Sequence, residues 1–141
     1  MKQEFELELP ELVHFVKESC HENLYQTLCE IEEIADDEHF PKMLRQFIQT
    51  FTGYLKNHLQ FEEKHLFPQL KGNGSVHTLL SQHDKIRSDL LKLRQMTNNY
   101  ERLTHDDLNK NLLYEELREM DRVVLNHIQI QNNILFPMIL H

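Results

Sequence analysis

Residues 57–69, NHLQFEEKHLFPQ, return 69 positions later as NHIQIQNNILFPM at 126–138. So close a repeat inside 141 residues restricts the fold to two copies of one supersecondary unit packed together. The unit extends further back, because SCHENLYQTL (19–28) and SQHDKIRSDL (81–90) share Ser-x-His-acid-x-aliphatic and a Leu seven positions after the His. Each copy is therefore a helix with one His followed by a helix with His-x-x-x-(Glu or Gln). Related by an approximate two-fold axis, the copies would bring His21, His58, Glu62, His83, His127 and Gln131 toward one level of the core.

Apolar residues at helical spacing, punctuated by Pro, Gly and Asn, predict helices over about 10–36, 41–70, 75–98 and 105–139. Only three Gly and four Pro occur, which favours long helices over tight-turned sheet. Pro10 and Pro41 suit first-turn positions, and Ser75 and Thr104 suit N-caps. Three short connections force neighbouring helices antiparallel, so the expected fold is all-α, an up-down-up-down antiparallel four-helix bundle forming a single domain over 1–141. Gly53 falls inside the second helix, where it is unfavourable by about 1 kcal/mol relative to Ala unless another helix approaches closely.

The formal charge of −8 and the lack of a Lys/Arg block remove the attraction for phosphate backbones and anionic lipid, so neither nucleic acid nor membrane is an expected partner. Val123 to His141 lacks formal charge over 19 residues, but Asn126, His127, Gln129, Gln131, Asn132 and Asn133 argue against a bilayer span. The start, MKQEFELELPELV, is acidic where a signal peptide would be basic. Cys20 and Cys29, on one helix and on opposite faces, sit too far apart to bridge. Reduced thiols and a cytoplasmic location are the resulting expectations.

The chemistry lies in the interrupted apolar stripes. The second helix presents Phe47, Phe51, Tyr54, His58, Glu62 and His65 along one face, and the fourth presents Leu113, Leu117, Met120, Val124, His127, Gln131 and Ile134. Burying imidazoles and a carboxylate without partners is unfavourable by several kcal/mol, whereas a shared cation satisfies all of them. Spacing of i and i+4 suits one ion or a closely spaced pair, and imidazole with carboxylate suits Fe, Mn, Zn or Co. His65, whose repeat counterpart is Ile134, and His14 are weaker candidates; His39, His77, His105 and His141 fall near turns or ends and are expected to face solvent. One geometrical tension stands out, because His127 lies further from the third connection than His83 does, so that connection must climb along the bundle. No nucleophile, phosphate loop or substrate cleft is legible, which favours a metal-binding protein over a conventional enzyme.

The H…HxxxE…H…Hxxx(E/Q) arrangement with EExxLFP resembles the hemerythrin-like, or HHE, cation-binding domain, a four-helix bundle holding a non-haem di-iron centre. TNNY (97–100), LY (113–114) and HIQIQNNILFP (127–137) resemble more narrowly its branch called repair of iron centres. The likeness runs from about Leu12 to Pro137. It implies iron, one or two ions, with Zn or Mn as substitutes; His21, His58, His83 and His127 as terminal ligands; Glu62 as a bridge; and Gln131 where a second bridging Glu belongs. It further implies a small ligand such as O2, NO or peroxide, or the handling of iron, in stress response or iron–sulfur centre repair. A metal-stabilised sensor or interaction module, or a bundle that has lost its full di-iron site, are the alternatives. A neutral amide at 131 is a poor bridge and weakens the second ion, unless a carboxylate such as Glu18 substitutes. Asp107 and Lys110 replace a Cys and a Trp typical of the branch.

Overall fold

The computed structural model of the chain describes residues 11, 21–66, 73–103, 105 and 107–140. Four long helices dominate: α1 (Glu22–Ala35), α2 (Lys42–Phe61), α3 (Asn73–Met96) and α4 (Leu108–Ile130). A π-helical turn prolongs α2 over Glu62–Leu66, and another prolongs α4 over Gln131–Leu135 before the short α5 (Phe136–Leu140). No strand occurs among the described residues. Pro10, His14, Glu18, Cys20, Thr104 and His141 lie outside them.

Side-chain contacts fix the directions of the helices. Along α1 and α2, His21 meets Glu62 while Glu32 meets Thr52 and Lys56. Along α2 and α3, His58 meets Gln82, Tyr54 lies under Lys85 and Phe47 under Lys92. Along α3 and α4, His83 meets Asn132 and Arg94 meets Asp121; along α1 and α4, the His21 ring lies beside the His127 ring and Asp37 meets Asn109. In every pair one number rises as the other falls, so neighbours run antiparallel, as expected from the short connections.

The same registers resolve the tension over the third connection. With His83 opposite Asn132 and Arg94 opposite Asp121, the end of α3 stands opposite residue 119. Helix α4 begins at Leu108, about 16 Å lower on the axis. The turn after α3 begins that descent with three consecutive left-handed residues, Asn98, Asn99 and Tyr100, at φ of 54°, 60° and 60°. Asparagine tolerates this region; tyrosine does so only under constraint. The constraint is visible: Tyr100 is buried, its N–H donates to Thr97 Oγ1 and its hydroxyl donates to Asp121 Oδ2 at 2.6 Å.

Packing follows the expected stripes with a small rotation. On α4, Leu113, Leu117, Met120, Val124, His127 and Gln131 are all buried and Ile134 is half-buried. On α2 the deepest line is Leu44, Ile48, Phe51, Leu55, His58 and Glu62, whereas Phe47 and Tyr54 are half-buried, their rings covered by Lys92 and Lys85. An aromatic ring with a cationic lid satisfies itself at the edge of a stripe, so the aliphatic residues take its centre. Helix starts also differ from expectation: α3 starts at Asn73, so Ser75 lies inside it, and Pro41 and Asp107 occupy the N-cap positions of α2 and α4.

The apolar interior falls into two clusters. The larger joins all four long helices; the smaller consists of Val76, Leu79, Leu135 and Phe136, fringed by Phe61, Leu80, Ile130 and Ile134. Along α3 the order is Leu79, His83, Ile86, so a polar layer separates the two. Gly53 faces open space, with nothing within 4 Å of an added Cβ. Gly53→Ala is therefore expected to stabilise the chain by about 1 kcal/mol, read as a raised urea midpoint with an unchanged slope.

Candidate metal centre

All six residues of the polar layer are buried, His21, His58, Glu62, His83, His127 and Gln131 each exposing 3 % or less. Glu62 lies at the centre, and its two carboxylate oxygens face different pairs of rings. Oε1 is 2.7 Å from His21 Nε2 and 3.3 Å from His127 Nε2. Oε2 is 2.8 Å from His58 Nε2 and 3.8 Å from His83 Nε2. In each trio, His21–Glu62–His127 and His58–Glu62–His83, the ligand atoms all lie within 4.8 Å of one another. The rings of each pair are tilted alike, with centroids 5.1 Å apart at 59° and 60°. The repeat in the sequence has become a pseudo-two-fold site with one carboxylate on its axis.

The π turns start at Glu62 and Gln131, the two residues four positions after a ligand-bearing His. Proline follows at 68 and 137. At the second turn Pro137 has no N–H to give and its ring crowds the carbonyl four residues back, a crowding that a widened π turn relieves. Phe136 contributes a wall, stacked on the His83 ring at 5.7 Å and 11°.

Outer partners hold three of the four rings. His21 Nδ1–H donates to Glu63 Oε2 at 3.0 Å, His58 Nδ1–H to Gln82 Oε1 at 2.6 Å, and His83 Nδ1–H to Asn132 Oδ1 at 2.9 Å. Such bonds fix which nitrogen keeps its lone pair, and they aim Nε2 inward. His127 Nδ1 has no hydrogen-bond partner among the described residues. Sequence reasoning missed Glu63, Gln82 and Asn132. The repeat did carry a signal, since Glu63 and Asn132 are counterparts, each following the i+4 residue.

Electrostatics follows from this packing. Burial alone would raise the Glu62 carboxyl, but His127, His21 and His58 around it hold it well below the usual carboxylate range. Burial opposes charge on His21, yet hydrogen bonds and attraction from Glu62 and Glu63 push its pKa above the ordinary histidine value. For His127 burial wins over the attraction of Glu62, and its pKa falls. The centre is thus an ionised carboxylate among imidazoles, a set of nitrogen and oxygen donors that fits a first-row divalent or trivalent cation. Orphaned atoms support the fit: His58 Nε2, His83 Nε2, Glu62 Oε2 and both amide atoms of Gln131 are buried without hydrogen-bond partners.

Other histidines behave as expected where described. His39 is exposed and bonded to Asp37, and His77 and His105 are exposed. The His65 side chain and His14 lie outside the described set, as does Glu18. Cys29 is a free, exposed thiol. A cavity of about 550 Å³ at the opposite end, between Phe40, Asp107 and Tyr114, contains none of the six residues. No helix among the described residues is long and apolar enough to cross a membrane.

Comparison with known proteins agrees with this geometry. Residues 15–139 match the family model of the hemerythrin HHE cation binding domain. Among curated proteins, the iron-sulfur cluster repair protein YtfE of Cronobacter sakazakii is 32% identical over 109 residues, covering 73% of this chain and 49% of the relative. YtfE proteins of Escherichia coli (strain E24377A) and Citrobacter koseri are each 30% identical over 109 residues, covering 73% of this chain and 50% of the relative. The chain spans about half the length of the curated relatives it matches. With a buried His and Glu cluster in a four-helix bundle and a family match over nearly its whole length, the chain belongs to the hemerythrin HHE cation-binding domain family.

Proposed function

We propose that the chain is a non-haem iron-binding protein whose centre takes a small ligand such as O2, NO or peroxide, or handles iron, in the response to oxidative or nitrosative stress or in the repair of iron–sulfur centres. The observation that carries this reading is the buried Glu62 carboxylate, with two imidazoles facing each of its oxygens. Four His and Glu62 would hold the iron, and iron bound by so few protein donors would supply open coordination positions. The protein contributes the rest: rings oriented by Glu63, Gln82 and Asn132, and apolar walls from Leu79, Leu135 and Phe136 that keep water from a bound small molecule. The repair activity named for the relatives belongs to proteins twice as long, and comes to this chain as part of the proposal.

The test is iron content per chain after anaerobic purification, followed by the visible spectrum before and after NO. Bound iron with a spectrum that changes on NO supports the reading. Protein that refuses iron on reconstitution ends it. Iron that raises the melting temperature while the spectrum ignores both NO and O2 would favour the metal-stabilised sensor or interaction module instead.

Gln131 adds a quantitative expectation. Its amide is neutral, so two divalent ions would share one carboxylate charge among the six residues. Gln131→Glu is expected to raise the number of tightly bound cations from one to two per chain, measured by metal analysis after dialysis against a weak chelator. An unchanged count would mean that position 131 does not govern stoichiometry.

A further inference from the structure

The two halves of the centre look alike by position and differ by hydrogen bonding. In the His21–His127 half the three ligand atoms engage one another: His21 Nε2 and His127 Nε2 both meet Glu62 Oε1 with hydrogen-bond geometry, at 2.7 and 3.3 Å. In the other half the same three atoms, His58 Nε2, His83 Nε2 and Glu62 Oε2, are all buried and none has a hydrogen-bond partner. His58 Nε2 and Glu62 Oε2 approach to 2.8 Å without hydrogen-bond alignment. Both rings are held from outside by an amide oxygen, His58 Nδ1 by Gln82 and His83 Nδ1 by Asn132, so both Nε2 atoms converge on Glu62 Oε2. Three converging polar atoms left buried without partners are unfavourable unless a cation joins them.

We propose that the two half-sites are filled in order: the first cation goes to His58, Glu62 Oε2 and His83, and the His21–His127 half remains closed by its own hydrogen bonds until a second cation displaces them. The inference rests on the functional reading above, since it presumes that the layer binds metal. It adds a division of labour. The His58–His83 half is the resident site, with both rings aimed by amides. The His21–His127 half is the exchangeable one, with one ring tied to Glu62 and Glu63 and the other lacking an outer partner among the described residues. The repeat itself is uneven at the centre, because the counterpart of Glu62 is Gln131.

The experiment is an anaerobic titration of the full chain with Co(II), followed by its visible absorption, and with Fe(II), followed by calorimetry. The variants are His83→Gln and His127→Gln, each checked for helicity and cooperative melting. His127→Gln is expected to retain the first equivalent within about threefold of the parent affinity, while His83→Gln loses it by about 100-fold or more. A second pair guards against misfolding: Asn132→Ala, at a half-buried position, should weaken the first equivalent by about 10-fold or more, and Glu63→Ala should leave it nearly unchanged. Equal losses in the two histidine variants, or the reverse order, overturn the proposal while leaving the metal-binding function intact. A parent chain that binds neither Co(II) nor Fe(II) overturns the functional reading itself, and the ordering with it.

Discussion

Glu62→Gln is expected to abolish tight cation binding, lowering affinity by roughly a thousandfold, because changes to outer partners alone typically cost 10–100-fold and Glu62 touches every ring directly. Both of its oxygens are engaged, one for each half of the centre. An amide keeps one oxygen and replaces the other with an N–H2 group, so one half loses its oxygen donor and gains protons aimed at two imidazoles. The layer also loses its only negative charge among the six buried residues. Two measurements check this. Competition against a chromophoric chelator gives the affinity, and the rise in melting temperature with added metal should vanish, since about 2.7 kcal/mol of stabilisation at a hundredfold excess over Kd depends on binding to the folded state alone. The metal-free variant should still fold, because the imidazoles can remain neutral once the carboxylate is gone. Parent-like affinity in Glu62→Gln would remove this carboxylate from the centre.

The six inward residues were legible because two signals agreed. Spacing of i and i+4 places His58 with Glu62 and His127 with Gln131 on single faces, and the repeat then supplies His21 and His83 as partners. Direction along the helix was harder to read. Adjacent helical residues point about 100° apart, so Glu63, Gln82 and Asn132 look peripheral, yet each reaches a ring on another helix. The π turns were not legible, because a sequence does not display which carbonyl an N–H chooses. The aromatic positions of α2 were overestimated as core: Phe47 and Tyr54 carry lysine lids and sit at the margin. Asp121 escaped notice for the opposite reason, since an isolated acidic residue in a helix is ordinarily solvated and its partners stand 21 and 27 positions away.

That buried aspartate gives the other large expectation. Arg94 Nε and Nη2 donate to the two Asp121 oxygens at 2.7 and 2.6 Å, and Tyr100 donates its hydroxyl to Oδ2. The carboxylate is 5 % exposed. Through it the end of α3, the left-handed turn and the middle of α4 are joined at one point, which assigns the TNNY stretch a structural role: Thr97 caps the turn, the two asparagines accept positive φ, and Tyr100 anchors it. Asp121→Ala leaves a guanidinium and a buried phenol without their acceptor. The expected loss is about 3 kcal/mol, at the low end for a broken buried pair because the Arg94 side chain remains 33 % exposed. In a chain of this length that lowers the melting temperature by roughly 6–12 °C. Tyr100→Phe should cost only about 1 kcal/mol, the ring staying packed while one hydrogen bond is lost. If the three side chains act as one unit, the double variant Tyr100→Phe with Asp121→Ala will lose less than the two single losses added together, since the hydroxyl has nothing left to bind once the carboxylate is absent. Strict additivity in denaturant melts would mean that the hydroxyl and the carboxylate stabilise the turn independently, and that the strain at Tyr100 is balanced by ring burial alone.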